Sequence, residues 1–131
     1  MTNHRVSRGR RTDEWTLRLP WNKPPLNLND RTHWRTKAAT TKGVRDAAQL
    51  LAAGIIGHAT GPIEVTLTYY PRDNRRRDAD NLVATLKALC DGLVDAGITP
   101  DDTPEHMVKH MPIIGRADGD PRLELTVRRL T

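Results

Sequence analysis

Residues 75–102 combine acidic and basic side chains that could together hold a metal ion against a phosphate group. The segment begins "RRRDAD", with three arginines directly before two alternate aspartates, and it ends "PDD" with two more. Carboxylates spaced as Asp-x-Asp, with a third carboxylate from elsewhere, suit a hard, oxygen-liganded cation such as Mg²⁺. Because neighbouring carboxylates repel each other, a divalent cation would relieve that repulsion. Asp78 and Asp80 supply two such carboxylates, and Asp101 or Asp102, on the loop after the predicted helix, could supply the third.

The basic residues of this segment are placed to act on a phosphodiester. Arg75, Arg76 and Arg77 could hold phosphate oxygens beside the metal, because guanidinium groups bind phosphate through paired hydrogen bonds. Lys87 could neutralise the charge that grows on the scissile phosphate. A metal, a phosphate clamp and a lysine are the parts that phosphodiester hydrolysis requires. The segment therefore predicts a nuclease site formed by Asp78, Asp80, Lys87 and one of the two aspartates Asp101 and Asp102.

Each of these features also has an ordinary structural explanation. Asp78 or Asp80 could simply cap the N-terminus of a helix and interact with its dipole. Lys87 and Asp91 are four residues apart and could form a surface ion pair on that helix. The three arginines could form a solvated loop. However, one capping residue would satisfy the start of the helix, whereas this chain has two aspartates there, and the combination favours the metal site.

A helix is predicted from about residue 80 to residue 96, with Gly97 just beyond its end. Its leucines form a narrow stripe, which is typical of a helix face that packs against a core. Cys90 borders this stripe and is predicted to pack as a small buried thiol. The stripe consists of Leu82, Leu86, Leu89 and Leu93, and the opposite face carries Asp80, Ala84, Lys87 and Asp91.

The rest of the chain supplies four strands and one further helix. Apolar residues at every second position predict the strands, and apolar residues at helical spacing predict the helix. The fold class is therefore α+β, a single domain with a mixed β-sheet and two main helices packed on it, in the order β-α-β-α-β-β. The predicted strands are residues 15–19, 63–70, 106–111 and 122–129, and the predicted first helix is residues 36–56.

The composition narrows the possible functions. A chain of 131 residues suits one domain, and its net charge of +5 favours an anionic partner such as nucleic acid. The single Cys, and the lack of an apolar run or secretory signal, lead us to expect a cytoplasmic, DNA-associated protein with no membrane partner and no organic cofactor. Residues 1–14 are predicted to form a disordered basic arm, in which Arg10 and Arg11 add affinity for phosphates.

Several runs of this sequence resemble the RusA family of Holliday junction resolvases, which are crossover junction endodeoxyribonucleases. The runs are "LRLPWNKPPLNLN", "RRRDADNL", "LKALCDGLVDAG", "PDD" and "GRADGDPRLELTV". The resemblance implies a RusA-like endonuclease domain at residues 15–131. It also implies a homodimer that binds four-way DNA junctions and makes paired nicks with Mg²⁺ or Mn²⁺ in recombination and repair. By resemblance, the metal-binding acids are Asp78, Asp80 and Asp102, with Asp101 in support.

The lysine of the family pattern maps less directly onto this chain. In the shorter pattern the lysine stands four residues after the second Asp of the Asp-x-Asp element, where this chain has Ala84. Lys87 precedes "ALCDGL", as the family lysine precedes a similar run, so we infer an insertion of three residues. Three residues are nearly one helical turn, which preserves the face and moves the lysine about 4.5 Å along the axis.

Other functions remain open from the residues alone. The chain could be a nuclease for flaps, forks or other branched DNA, a catalytically inactive module that binds junctions, or a basic protein that coats nucleic acid. Clustered aspartates argue against the last of these. Trp21 and Trp34 flank the N-terminal loop, where each could stack on an exposed base or anchor the loop to the fold.

Overall fold

The computed structural model describes residues 13–26 and 33–130 of the chain. Strand β1 is followed by helix α1, strand β2, helix α2 and three further strands, and a short 3₁₀ turn leads directly into α2. The elements are β1 (Glu14–Arg18), α1 (Trp34–Ile55), β2 (Ile63–Tyr70), the 3₁₀ turn (Ala79–Leu82), α2 (Val83–Asp95), β3 (Met107–Lys109), β4 (Ile113–Ile114) and β5 (Arg122–Arg129).

The strands form one mixed sheet in the order β1-β5-β2-β3, and β4 also pairs with β2. Strand β5 is antiparallel to both of its neighbours, β1 and β2. The short strands β3 and β4 run parallel to β2, because α2 returns the chain to the same end of the sheet. This mixed sheet with two helices confirms the predicted α+β class.

One face of the sheet packs against the helices and forms the core. Alternate residues of β2 are buried, as the period of a half-buried strand requires, and β5 follows the same pattern. Helix α1 contributes Val44, Ala48 and Ala52 to this core. The leucine stripe predicted for the second helix is confirmed, since Leu82, Leu86, Leu89 and Leu93 are all buried.

Helix α2 begins differently from the prediction and ends as predicted. The predicted first turn is a 3₁₀ turn over Ala79–Leu82, and the α-helix proper starts at Val83. Gly97 follows the helix with φ of +76°, a conformation that favours glycine, and its amide donates to the carbonyl of Val94. Cys90 is fully buried, and burial raises its pKa to about 12, which agrees with the predicted packing role.

The strand predicted at residues 106–111 is shorter than expected. The sequence did not predict that β4 continues it. Strand β3 stops at Lys109, and the two residues of β4 then pair with the far half of β2. Pro112 lies between them and has no amide hydrogen to donate to β2. Strands β3 and β4 are therefore one edge strand, interrupted where proline cannot continue the ladder.

The N-terminal part of the chain is only partly described. Residues 1–12, with Arg10 and Arg11 of the predicted arm, lie outside the described residues, and β1 begins at Glu14. Within residues 13–26 and 33–130, no helix combines the length and the apolar character needed to cross a bilayer.

Candidate nuclease site

Asp78 and Asp80 lie at the exposed start of α2. Asp78 is the N-cap of the 3₁₀ turn, and its Oδ1 accepts a hydrogen bond of 3.0 Å from the amide of Asp80. The ordinary capping role considered for Asp78 is therefore present. The Asp80 carboxylate is exposed and has no hydrogen bond within the described part of the chain.

Residues 71–77, the arginine loop, are organised around Asp73. The Asp73 carboxylate accepts hydrogen bonds from the Arg75 amide (3.1 Å) and from Nη2 of Arg77 (3.0 Å). These two donors hold the pKa of Asp73 below its ordinary value. Asn74 fixes the other side of the loop, because its Oδ1 accepts from the amide of Ala117 at 2.8 Å. Contacts on both sides thus fix the conformation of the loop.

The three arginines of this loop have different roles in the structure. Arg77 turns inward and its Nη1 donates to the carbonyl of Asp73 at 2.7 Å, so its side chain is only 17% exposed. Its guanidinium also lies 5.8 Å from the ring centre of Tyr69. The Arg75 side chain is 68% exposed, and Arg76 is exposed as well. Arg75 also contacts Asp73, with Nε 3.3 Å from Oδ1, but its side chain and that of Arg76 reach solvent, whereas Arg77 is held within the loop.

An open cleft of about 690 Å³ adjoins this loop and the start of α2. Cationic side chains from the N-terminal loop and the arginine loop line it together with one of the predicted acids. Such a lining favours an anionic ligand that approaches the carboxylates from the basic side. The charged residues of the lining are Lys23, Arg72, Arg75, Arg77 and Asp78.

Asp102 lies on the loop after α2, in a row of alternating charges away from the start of that helix. Lys87 Nζ is 3.0 Å from Oδ1 of Asp91 and 3.1 Å from Oδ2 of Asp102. Lys109 Nζ, on β3, is 3.3 Å from the same Oδ2. Asp101 is exposed, and its Oδ1 accepts from the Asp102 amide at 2.7 Å, which orients this loop. The surface pair considered for Lys87 and Asp91 is confirmed, and Asp102 extends it.

These contacts shift the pKa values of Asp102 and Lys87. Hydrogen bonds from Lys87 and then Lys109 hold the pKa of Asp102 below its ordinary value. Hydrogen bonds to Asp91 and then Asp102 raise the pKa of Lys87. Asp102 therefore stays ionised and Lys87 stays protonated at neutral pH. Ala84, the position of the lysine in the shorter family pattern, is half-buried against the core, whereas Lys87 is exposed.

Comparison with known proteins identifies the family of this chain. The chain is 32% identical over 124 residues to the crossover junction endodeoxyribonuclease RusA of Escherichia coli strain K12, and the match spans 88% of this chain and 95% of that protein. The chain belongs to the RusA family. RusA of Enterobacteria phage 82 is 33% identical over 122 residues, which are 87% of this chain and 93% of the phage protein.

Two further comparisons complete this result. This chain is also 30% identical over 86 residues to an uncharacterized protein of Xylella fastidiosa. The match spans 62% of this chain and 56% of that protein, so the chain covers little more than half of its length. No family model matches the chain. The mixed sheet and two helices described above are consistent with a RusA-like fold.

The predicted ligands of this RusA-family chain do not lie together as a three-carboxylate metal centre. Among residues 13–26 and 33–130, no three His, Cys, Asp or Glu side chains form a group that could hold a metal ion. Asp78 and Asp80 lie at the start of the helix. Asp102 instead contacts Lys87. Lys87 is seven residues after Asp80, which places it about 10 Å further along the helix axis. Carboxylate oxygens suit Mg²⁺ chemically, but this arrangement does not gather three of them.

The sequence did not predict two residues of the candidate site. Asp73 organises the arginine loop, and its spacing to Arg75 and Arg77 is typical of a side chain that binds its own turn, which is a pattern visible in sequence. Lys109 reaches Asp102 only because β3 returns beside β2, and no local pattern indicates that approach.

The structure distinguishes Trp21 from Trp34, for each of which the sequence allowed either an anchoring role or stacking on a base. Trp21 is half-buried and packs against the core, which agrees with an anchoring role. Trp34 is 67% exposed at the first residue of α1, and the guanidinium of Arg35 lies 5.2 Å from its ring centre. Trp34 is therefore the tryptophan that remains accessible to a base.

Proposed function

We propose that this protein is a structure-selective endodeoxyribonuclease that cuts four-way DNA junctions by paired nicks. Its family relatives are named as crossover junction endodeoxyribonucleases. The observation that carries the proposal is the exposed pair Asp78 and Asp80 at the start of α2, directly after a preorganised basic loop and beside a basic cleft. This arrangement can place a DNA phosphate next to two carboxylates.

The proposal assigns a role to each group of residues. Arg75 and Arg76 bind backbone phosphates and give affinity and register rather than a choice of base. Asp78, Asp80 and Asp102 are the proposed donors for Mg²⁺ or Mn²⁺, which would activate water and offset phosphate charge when bound. Lys87 stays protonated at neutral pH and is the proposed cation for the scissile phosphate.

Junction selectivity is proposed to come from a homodimer. A four-way junction has approximate two-fold symmetry, so a two-fold protein can place one site on each of two opposed strands. Two symmetric cuts would follow from two copies of the site. The positions of the two nicks therefore test the dimer together with the activity.

A second candidate function is a junction-binding protein that does not cut. It is favoured by one observation, namely that Asp102 is paired with two lysines and does not lie with Asp78 and Asp80. A basic cleft and an exposed arginine loop would serve such a protein equally well.

Strand cleavage by the wild-type protein separates these candidates. A synthetic four-way junction, a fork, a flap and a linear duplex of the same sequence would be incubated with Mg²⁺ or with a chelator. We expect two symmetric nicks in the junction, dependent on Mg²⁺, and little cutting of the linear duplex. Junction binding without cleavage would support the binding protein, and preferential cutting of forks or flaps would redefine the substrate.

Substitution of Arg75 and Arg76 by alanine is expected to weaken DNA binding through lost phosphate contacts. Each lost contact should reduce the slope of log K against log salt concentration by about 0.9. The slope would be measured by fluorescence anisotropy with a labelled junction between low and physiological salt. Folding should be little affected, because both side chains are exposed and the ion pair that Arg75 makes with Asp73 lies at the surface, where such pairs contribute little.

Two matched variants make this prediction specific. Lys42→Ala removes a cation that pairs with Asp46 on α1, and it should leave the slope unchanged. Arg77→Ala should lower the thermal stability of the loop region, because Arg77 is bound to Asp73. An unchanged slope in the double alanine variant would exclude the arginine loop as the phosphate-binding surface.

A further inference from the structure

The chain after β4 runs alongside the arginine loop. The amide of Gly115 donates to the carbonyl of Tyr69 at 2.8 Å, so hydrogen bonding to β2 continues one residue beyond β4. The amide of Ala117 then donates to Oδ1 of Asn74, within the arginine loop, at 2.8 Å. Arg116 lies between these two donors. Since the amide nitrogen of Ala117 is about 2.4 Å from Cα of Arg116, that Cα lies within about 5 Å of the Asn74 oxygen.

The strand pattern places Arg116 on the cleft side of the sheet. Tyr70 belongs to the face of β2 that is turned away from the core, and a Cβ on Gly115 would lie 2.7 Å from its ring. Gly115 therefore faces away from the core. Ile114 has the opposite direction, because it packs against the core and lines the cleft. Side chains of an extended segment alternate between faces, so Arg116 follows Ile114 toward the cleft.

The acids that follow Arg116 in the chain do not balance its charge. Asp118 Oδ2 is 3.0 Å from Nη1 of Arg122. Asp120 Oδ1 is 2.8 Å from Nη2 of Arg18. Arg116 is exposed and forms no ion pair with a carboxylate in the described part of the chain. It therefore adds a positive charge to the basic side of the cleft.

We propose that Arg116 binds a backbone phosphate of the DNA that the arginine loop holds. The phosphate-binding surface then extends from residues 71–77 to a second, separate segment of the chain. A guanidinium binds phosphate oxygens through paired hydrogen bonds, and cations from two segments strengthen the positive potential at the cleft. The inference rests on the proposed function, because it takes DNA as the ligand, and it adds a residue outside the predicted site.

The backbone contacts on both sides of Arg116 suit it to act together with Arg75. The amide of Arg75 is held by the carboxylate of Asp73, and the next residue, Asn74, holds the amide of Ala117. The two arginines are therefore carried by segments that are fixed to each other. Contacts to phosphate carry no sequence information, so loss of Arg116 should weaken binding equally for junctions of different sequence.

The test measures junction binding by the full chain in the presence of a chelator. Arg116→Gln removes the charge and keeps a polar side chain, whereas Arg116→Lys keeps the charge. Arg116→Gln is expected to reduce the slope of log K against log salt concentration by about 0.9, so its affinity loss should be roughly three- to fourfold larger at about 50 mM than at about 200 mM salt. Arg116→Lys should keep the wild-type slope. Fluorescence anisotropy with a labelled four-way junction would give both slopes.

Arg128→Gln is the matched control for the loss of one exposed arginine. The Arg128 side chain is 60% exposed and pairs with Glu64. Tyr70 lies six residues beyond Glu64 on β2, so Arg128 is about 20 Å from the end of the strand that Gly115 contacts. The slope for Arg128→Gln should equal that of the wild type. An equal fall of the slope in Arg116→Gln and Arg128→Gln would show an effect of net charge alone and would overturn the proposal.

Other outcomes are also decisive. An unchanged slope in Arg116→Gln would overturn the proposal, and so would a slope in Arg116→Lys as low as that in Arg116→Gln. Junction cleavage by the wild type in Mg²⁺ tests the proposed function separately. A reduced slope in Arg116→Gln without any cleavage by the wild type would support the inference and contradict the nuclease function. Cleavage by the wild type with an unchanged slope in Arg116→Gln would contradict the inference alone.

Discussion

Asp80→Asn is expected to lower the rate of junction cleavage by about 10²–10³-fold, which is the typical cost of removing one charge-stabilising group from an active site. The substitution preserves shape and removes one of the two carboxylates at the start of α2. The Asp80 side chain is exposed and has no hydrogen bond within the described residues, so the fold should be unaffected. Junction affinity should be retained or should rise, because one negative charge is removed beside the basic cleft.

The measurement is a single-turnover cleavage rate with the variant saturating a labelled junction, together with its dissociation constant. Asp46→Asn on α1 is the matched control, since Asp46 pairs with Lys42 away from the start of α2, and its rate should equal that of the wild type. A wild-type rate for Asp80→Asn would remove Asp80 from the catalytic site. A large loss of affinity or of thermal stability would show that Asp80 has a structural role instead.

Gly92→Ala is expected to destabilise the protein by about 2–3 kcal/mol, even though alanine favours helices over glycine. A Cβ at position 92 would collide with the carbonyl oxygen of Arg45 and would lie 2.6 Å from Cβ of Ala48. The first obstacle is backbone, so α1 and α2 would have to move apart. Arg45 and Asp95 pair across the same contact at 2.8 Å, which resists that movement. Urea unfolding would measure the loss of free energy.

Gly43→Ala is the matched control for this substitution. Gly43 lies within α1, and a Cβ there would meet nothing within 4 Å. We therefore expect Gly43→Ala to stabilise the protein by about 0.5–1 kcal/mol through helix propensity alone. If both substitutions changed the free energy of unfolding by similar amounts and with the same sign, α1 and α2 would not approach each other as closely as described.

The sequence predicted those parts of the fold that depend on periodic patterns. The leucines of α2 and the alternating residues of β2 each satisfy a local rule, because burial of one face repeats with the period of the element. The division of the edge strand at Pro112 was not predicted. The pairing of Ile113 and Ile114 with β2 is set by a partner far away in sequence, so two residues alone carried no pattern.

The sequence predicted which types of residue form the candidate site, but it did not predict which of them contact one another. The sequence indicated aspartates at the start of α2, and the structure has Asp78 and Asp80 there. It treated three consecutive arginines as equivalent. In the structure Asp73 contacts both Arg75 and Arg77, but the Arg77 side chain is 17% exposed and the Arg75 side chain is 68% exposed. The reason is that the path of the loop, rather than the residue type, decides which guanidinium turns inward.

The same limit applies to Asp102. The distance of Asp102 from Asp78 and Asp80 depends on how the loop after α2 returns to the sheet. Lys109 contacts Asp102 only because β3 pairs in parallel with β2. A one-dimensional pattern could place Asp102 near α2, since it follows the helix by a few residues. It could not show that two lysines would occupy the carboxylate.

The central claim is that the carboxylates and the basic cleft at the start of α2 form a nuclease site for branched DNA. The most direct test is the ratio of single-turnover cleavage rates for a four-way junction and a linear duplex of the same sequence, with saturating wild-type protein and Mg²⁺. We predict a ratio well above 10, with the junction cut at two symmetric positions and no cutting when Mg²⁺ is chelated. Equal rates on the two substrates, or no cleavage of a junction that is fully bound, would contradict the claim.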